Sequence, residues 1–61
     1  MNYKSEIQRM LARIPQSVLQ GDINKARDWK NTAEKARSIA RKSRASEAEL
    51  LRAYSELKAY E

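Results

Sequence analysis

Eight of the 21 residues in KARDWKNTAEKARSIARKSRA, residues 25 to 45, are Lys or Arg. On a helix, Arg27, Lys30, Arg37, Arg41 and Arg44 fall within about a third of the circumference. An unbroken helix carrying all five would spread them over about 25 Å. Guanidinium forks and ammonium groups at that spacing suit polyanions. Arg binds phosphate and carboxylate oxygens in pairs, and each neutralised phosphate releases counterions. The chemistry implied is recognition of an anionic surface, by contact and by long-range attraction. A second reading of the same residues is a solvated helix side. In that reading Glu34 pairs with Lys30 and Arg37 at helical spacing, and Asp28 lies beside Lys25 and Lys35.

Trp29 sits among these cations. As a structural residue it would fill a small core against Ile7, Met10, Leu11 and Ile14. As a functional residue it would be an interface anchor, a role in which Trp and Arg are favoured. A second group, Leu50, Leu51, Tyr54, Leu57 and Tyr60, divides the same way. Leu50 and Leu51 point about 100° apart, so one core cannot take both. Leu50, Leu51, Tyr54 and Tyr60 are therefore interface candidates as well as core candidates.

Catalysis is not expected. The chain has no His and no Cys, hence no neutral-pH imidazole base and no thiolate nucleophile. Glu47, Glu49 and Glu56 are better explained by capping and by pairing with Arg44 and Arg52 than as a metal or acid–base site. No catalytic residue, metal or cofactor is expected. With 61 residues and no disulfide, the chain is near the lower limit of independent stability, and association is the support left open.

The elements that must position these groups are helical. The chain holds one Gly and one Pro, no alternating apolar run, and an excess of good helix formers. The expectation is a single all-α domain, residues 1–61, built as a small bundle of two to three helices. The first covers residues 3–20, kinked or broken at Pro15, where a backbone donor is missing and the ring crowds the carbonyl of Leu11. Pro15 suits the first position of a new turn, and Val18 and Leu19 would continue the stripe of Tyr3, Ile7, Met10, Leu11 and Ile14. Gly21 suits a left-handed position past a helix end, and Asp22 suits the cap of the next helix. The second helix covers 22–43, with Ala26, Trp29, Ala33, Ala36 and Ala40 on one face. Ser46 and Glu49 match a capping box, which starts a third helix over 46–60. The alternative is a hairpin with one long second helix over 22–60, since no Gly or Pro lies beyond Asp22 and an alternating three-four spacing persists to Leu57.

Charge is unevenly distributed. Residues 22–44 hold eight bases against three acids, whereas residues 45–61 hold two bases against four acids. Overall the net charge is +5. No run long and apolar enough to span a membrane occurs, and MNYKSEIQRM lacks the apolar core of a signal peptide. A cytoplasmic location follows as the simplest expectation. These features combine into a non-enzymatic small basic binding protein. It would act as an inhibitor or an accessory, regulatory factor by docking on a larger protein with an acidic surface, such as a nucleic-acid-handling one. Direct binding of DNA or RNA phosphates through the second helix is the first alternative. Self-assembly as a homo-oligomer is the second.

Overall fold

The computed structural model describes residues 2–61. Asn2 opens the first helix. Its backbone is extended and its Oδ1 accepts the Ser5 N–H at 3.3 Å, satisfying one of the donors a helix start leaves free. Helix α1 then runs Tyr3–Leu11 and buries Ile7 and Met10. The chain leaves helical geometry before Pro15, so the proline breaks the first helix rather than kinking it. Pro15 precedes the next turn as its cap, not as its first residue. With φ −59° and ψ 146° its carbonyl accepts from the Val18 and Leu19 N–H groups at 3.0 and 3.1 Å. The single turn α2, Gln16–Leu19, buries Val18.

Gly21 does not adopt the expected left-handed conformation; no described residue has positive φ. The turn before it ends on right-handed Gln20, which removes the need for such a reversal. Crowding accounts for the glycine instead. A Cβ there would lie 3.0 Å from the Ser17 carbonyl oxygen and 2.8 Å from Lys25 Cδ. The lysine can swing away, but the carbonyl belongs to the α2 backbone.

Asp22 caps the long helix as expected, its Oδ1 accepting the Lys25 N–H at 2.9 Å. Helix α3 spans Ile23–Arg41 and buries Ala33, Ala36 and Ala40. Lys42 is extended, with ψ 136°. The long hairpin over 22–60 is therefore overturned: α3 stops without any Gly or Pro. Two local features account for the stop. Ser43 and Glu47 are polar where a continuous seam would need apolar residues, and the Ser46 hydroxyl accepts the Glu49 N–H at 3.2 Å to start a new helix. Helix α4 spans Glu47–Lys58.

The result is a small all-α bundle of three helices plus the turn α2. Its dimensions are 35 × 19 × 17 Å, the long axis set by α3, which is about 28 Å long by its rise alone. Helices α3 and α4 run antiparallel, since Lys42 meets Glu49 at one end and Thr32 meets Tyr60 at the other. One apolar cluster holds the three helices together. It comprises Ile7 and Met10 of α1, three alanines of α3, and Ala53 and Leu57 of α4, with Leu11, Trp29, Ile39, Leu50 and Tyr54 packed around it. The alanines bury little area each but let α4 approach α3 closely, the trade that small interfacial residues make.

Beyond α4, the chain end is tied to the first third of the molecule. Ser17 Oγ donates to the Tyr60 carbonyl, the Tyr60 hydroxyl lies 3.4 Å from Thr32 Oγ1, and Arg13 meets the Glu61 carboxylate at 2.7 Å. No described helix is long and apolar enough to cross a membrane.

Candidate functional site

The cationic residues divide into four on the helix and one off it. Arg27, Lys30, Arg37 and Arg41 lie within α3 and are all exposed. Their spacing keeps them on the flank beside the buried alanine face. Arg44 falls in the turn between α3 and α4, where its helical register no longer applies. The expected row of five is thus a row of four followed by a loop arginine, because α3 ends three residues before Arg44.

None of these five cations enters an ion pair among the described residues. The three ion pairs found are Arg9–Glu6, Arg13–Glu61 and Lys42–Glu49. Arg27 is occupied locally, donating to Asn24 Oδ1 at 3.1 Å. The expected pairing of Glu34 with Lys30 and Arg37 is absent, as are pairs of Glu47 and Glu56 with Arg44 and Arg52. Asp28 pairs with neither Lys25 nor Lys35. Exposed pairs at helical spacing gain only a few tenths of a kcal/mol, so leaving these unformed costs little. The flank therefore keeps its positive potential, with the unpaired Glu34 carboxylate set in its middle. Arg37 and Arg41 also border two shallow clefts. One, of about 250 Å³, lies against Gln8 and Leu11 of α1 and Ala12 just past it; the other, of about 300 Å³, lies over Glu34 and Ser38.

The row leads toward an apolar groove of about 560 Å³ at the α2–α3 corner. Ile14, Val18, Leu19, Ile23, Ala26 and Trp29 supply its apolar lining, and Lys30 belongs to its wall. Val18 forms the buried floor. Three large aliphatic side chains remain exposed: Ile14 at 52 %, Leu19 at 64 % and Ile23 at 77 %. Two of these depart from expectation. Ile14 leaves the α1 stripe because the helix has already ended, and Leu19 fails to continue that stripe because the break at Pro15 resets the register. Trp29 is half-buried, packed against the core on one side and bordering the groove on the other. Periodicity within α1 gave no warning of the groove; the clue available was the apolar pair Leu19 and Ile23 flanking Gly21 and Asp22.

At the other pole, Leu50 and Tyr54 pack against the core while Leu51 stays 45 % exposed. Tyr54 meets the Tyr3 ring at 5.5 Å between centroids, tilted by 52°, and Lys58 Nζ lies 5.9 Å above its face. Tyr60 is half-buried and held by the contacts to Ser17 and Thr32. Among these four candidates, Leu51 alone presents a largely free apolar side chain.

The titration of Glu49 is shifted by its neighbours. Its hydrogen bond from Lys42, at 3.0 Å, and the Ser46 contact at the helix start hold the carboxyl below the usual Glu value. The Glu49 side chain reaches Ser46 Oγ at 3.4 Å and Lys42, so the capping box is made in one direction only. No three acidic side chains gather into a metal-binding group among the described residues.

Comparison with family models, with curated proteins and with solved structures finds no match to this chain.

Proposed function

We propose that this chain is a non-enzymatic binding protein. It docks on an acidic surface of a larger protein and acts there as an inhibitory or accessory factor. The observation that carries the reading is the continuity of two features. A row of exposed cations on α3, free of ion pairs among the described residues, runs into a groove lined by exposed Ile and Leu. Charge of this kind speeds encounter and selects orientation, whereas desolvated apolar contact supplies residence. A protein surface offers both kinds of complement. A machine that handles nucleic acid in the cytoplasm, with an acidic face toward its regulators, fits this description.

Direct binding of nucleic-acid phosphates is the second reading, supported by the exposed α3 row itself. Two observations count against it. Glu34 interrupts the row and would repel a phosphate backbone. The adjoining groove offers one Trp among aliphatic residues, whereas single-strand binders stack several bases on aromatic platforms.

The two readings separate in paired experiments. Titration with random duplex DNA is expected to show no binding at low salt. Capture of the partner from native extract is expected to fall at least about tenfold in the double variant Arg37→Glu, Arg41→Glu. Duplex binding that weakens with salt, at a log–log slope near the number of phosphates contacted, would establish the second reading instead. Capture unchanged by the double charge reversal would remove the electrostatic part of the first.

A further inference from the structure

We infer that the α2–α3 groove receives an amphipathic helix from the partner, an apolar ridge in the groove and its acidic end along the α3 row. This deepens the docking reading and rests on it. Among ways of holding a peptide segment, three use apolar or backbone surfaces rather than charge: addition to a sheet edge, capture of a polyproline segment between aromatic side chains, and burial of a helix ridge in an apolar groove. The described residues contain no strand, and the groove has a single aromatic residue. The third way remains. The volume of about 560 Å³ suits a small number of aliphatic side chains, and the walls from α2 and the start of α3 are parts of two different elements. The groove between them is shallow and open to solvent.

Charge fixes the orientation and the kind of occupant. Lys30 stands in the groove wall, and Arg37 and Arg41 follow on the same flank of α3. From Ala26 to the midpoint of Arg37 and Arg41 is about 20 Å along the helix, close to four turns of a bound helix. A partner helix with apolar residues at i, i+3, i+4 and i+7, followed by Glu or Asp over the next turns, matches both halves at once. The unpaired Glu34 carboxylate accepts a single Lys or Arg on such a helix, which a phosphodiester chain cannot supply. A second copy of this chain is a poor occupant. The net charge of +5 opposes self-contact, and the acidic helix α4 has one large exposed aliphatic residue, Leu51, its other leucines facing its own core.

The test uses synthetic peptides of about 18 residues, long enough for five turns of helix. The parent carries a Leu ridge and a Glu-rich end; one control replaces the ridge Leu by Ser, and another replaces Glu by Lys. None contains Trp, so the emission of Trp29, the only Trp in the chain, reports occupancy. The parent is expected to shift that emission. Both control peptides are expected to bind at least about tenfold more weakly, since ridge and charge each contribute a decade or more. The variant Leu19→Ser, Ile23→Ser changes two exposed positions; it should keep the parent's circular dichroism spectrum and lose about tenfold for the parent peptide as well. Arg37→Glu, Arg41→Glu should lose several-fold and flatten the dependence on salt.

If the Ser-ridge peptide binds as tightly as the parent, the groove is not the site; docking through charge alone still stands. If the parent does not bind while capture of the partner still depends on Arg37 and Arg41, the helical occupant is overturned and the docking reading survives. If the parent does not bind and duplex DNA does, both fall. Sedimentation of the protein alone gives the last outcome: a dimer that Leu19→Ser, Ile23→Ser dissolves would make the occupant a second copy and overturn the inference.

Discussion

The two ends of α3 solve the same packing problem in opposite ways. Toward its C-terminal half, Ala33, Ala36 and Ala40 join Ala53 and Leu57 of α4 in one buried cluster. Toward its N-terminal end, Ala26 and Trp29 face a single turn, α2, which reaches the core side with Val18 and turns Leu19 outward. Small residues opposite a long helix exclude solvent. Large residues opposite a short turn leave apolar surface open, because four residues cannot cover a face that a twelve-residue helix covers elsewhere. Buried apolar side chains gather in the first arrangement and exposed ones in the second.

The sharpest way to break that contrast is to truncate one leucine in each region. Leu57→Ala removes a side chain that is 1 % exposed and should cost about 2–5 kcal/mol, enough to leave so small a protein largely unfolded. Leu19→Ala should change stability by no more than about 0.5 kcal/mol. Urea titrations followed by circular dichroism compare the two. Equal losses would mean that the α2 corner belongs to the cooperative core.

A smaller effect is expected at the helix starts. Asp22→Ala and Ser46→Ala each remove an oxygen that accepts a helix N–H, at 2.9 and 3.2 Å, and each should cost about 1 kcal/mol. The same denaturation curves measure both. The difference between them sharpens the comparison, since Asp22 starts the groove wall and Ser46 starts the covered helix. Loss of peptide binding in Asp22→Ala alone would tie the groove's shape to that cap.

The smallest effect is one of pH. Lys42 holds the Glu49 carboxylate ionised to lower pH than a free glutamate. The link therefore stabilises the fold above the usual Glu value and fades as pH falls through the lowered one. Both side chains are solvated, so the contribution is slight. Glu49→Gln should lower the melting temperature slightly above the usual Glu value and converge with the parent at low pH, so that the acid limb of the profile becomes shallower. An unaltered acid limb would mean that the Lys42–Glu49 contact makes no difference in solution.

Much of the fold was legible because its signals are local. Asp22 and Ser46 announce the two later helices, the alanine face of the second follows from 3.6-residue spacing, and Pro15 marks the break in the first. What escaped was whatever depends on how the chain turns between elements. Once Pro15 has interrupted α1, no periodic rule relates Ile14 and Leu19 to Ile7, and both face outward. Lys42 leaves the helix without a breaker residue, and Arg44 leaves the row with it. Gly21 reads in sequence as a left-handed turn, while the crowding by Ser17 is visible only in three dimensions. The groove combines residues from α2, the start of α3 and the segment before Pro15, so no single stretch contained it. The cations of α3 were readable by position, but the lack of partners for Glu34 was not, because spacing states what side chains can reach and not what they prefer to water.

The tie between the chain's last residues and its first third bears on the order in which the protein assembles. Closing the turn that joins Lys42 to Glu49 brings together residues 7 apart, whereas joining Arg13 to Glu61 brings together residues 48 apart. The longer closure costs roughly 2 kcal/mol more in chain entropy. The hairpin of α3 and α4 is thus the cheaper closure, and the join between the chain's last residue and Arg13 is the one that most restricts the unfolded chain.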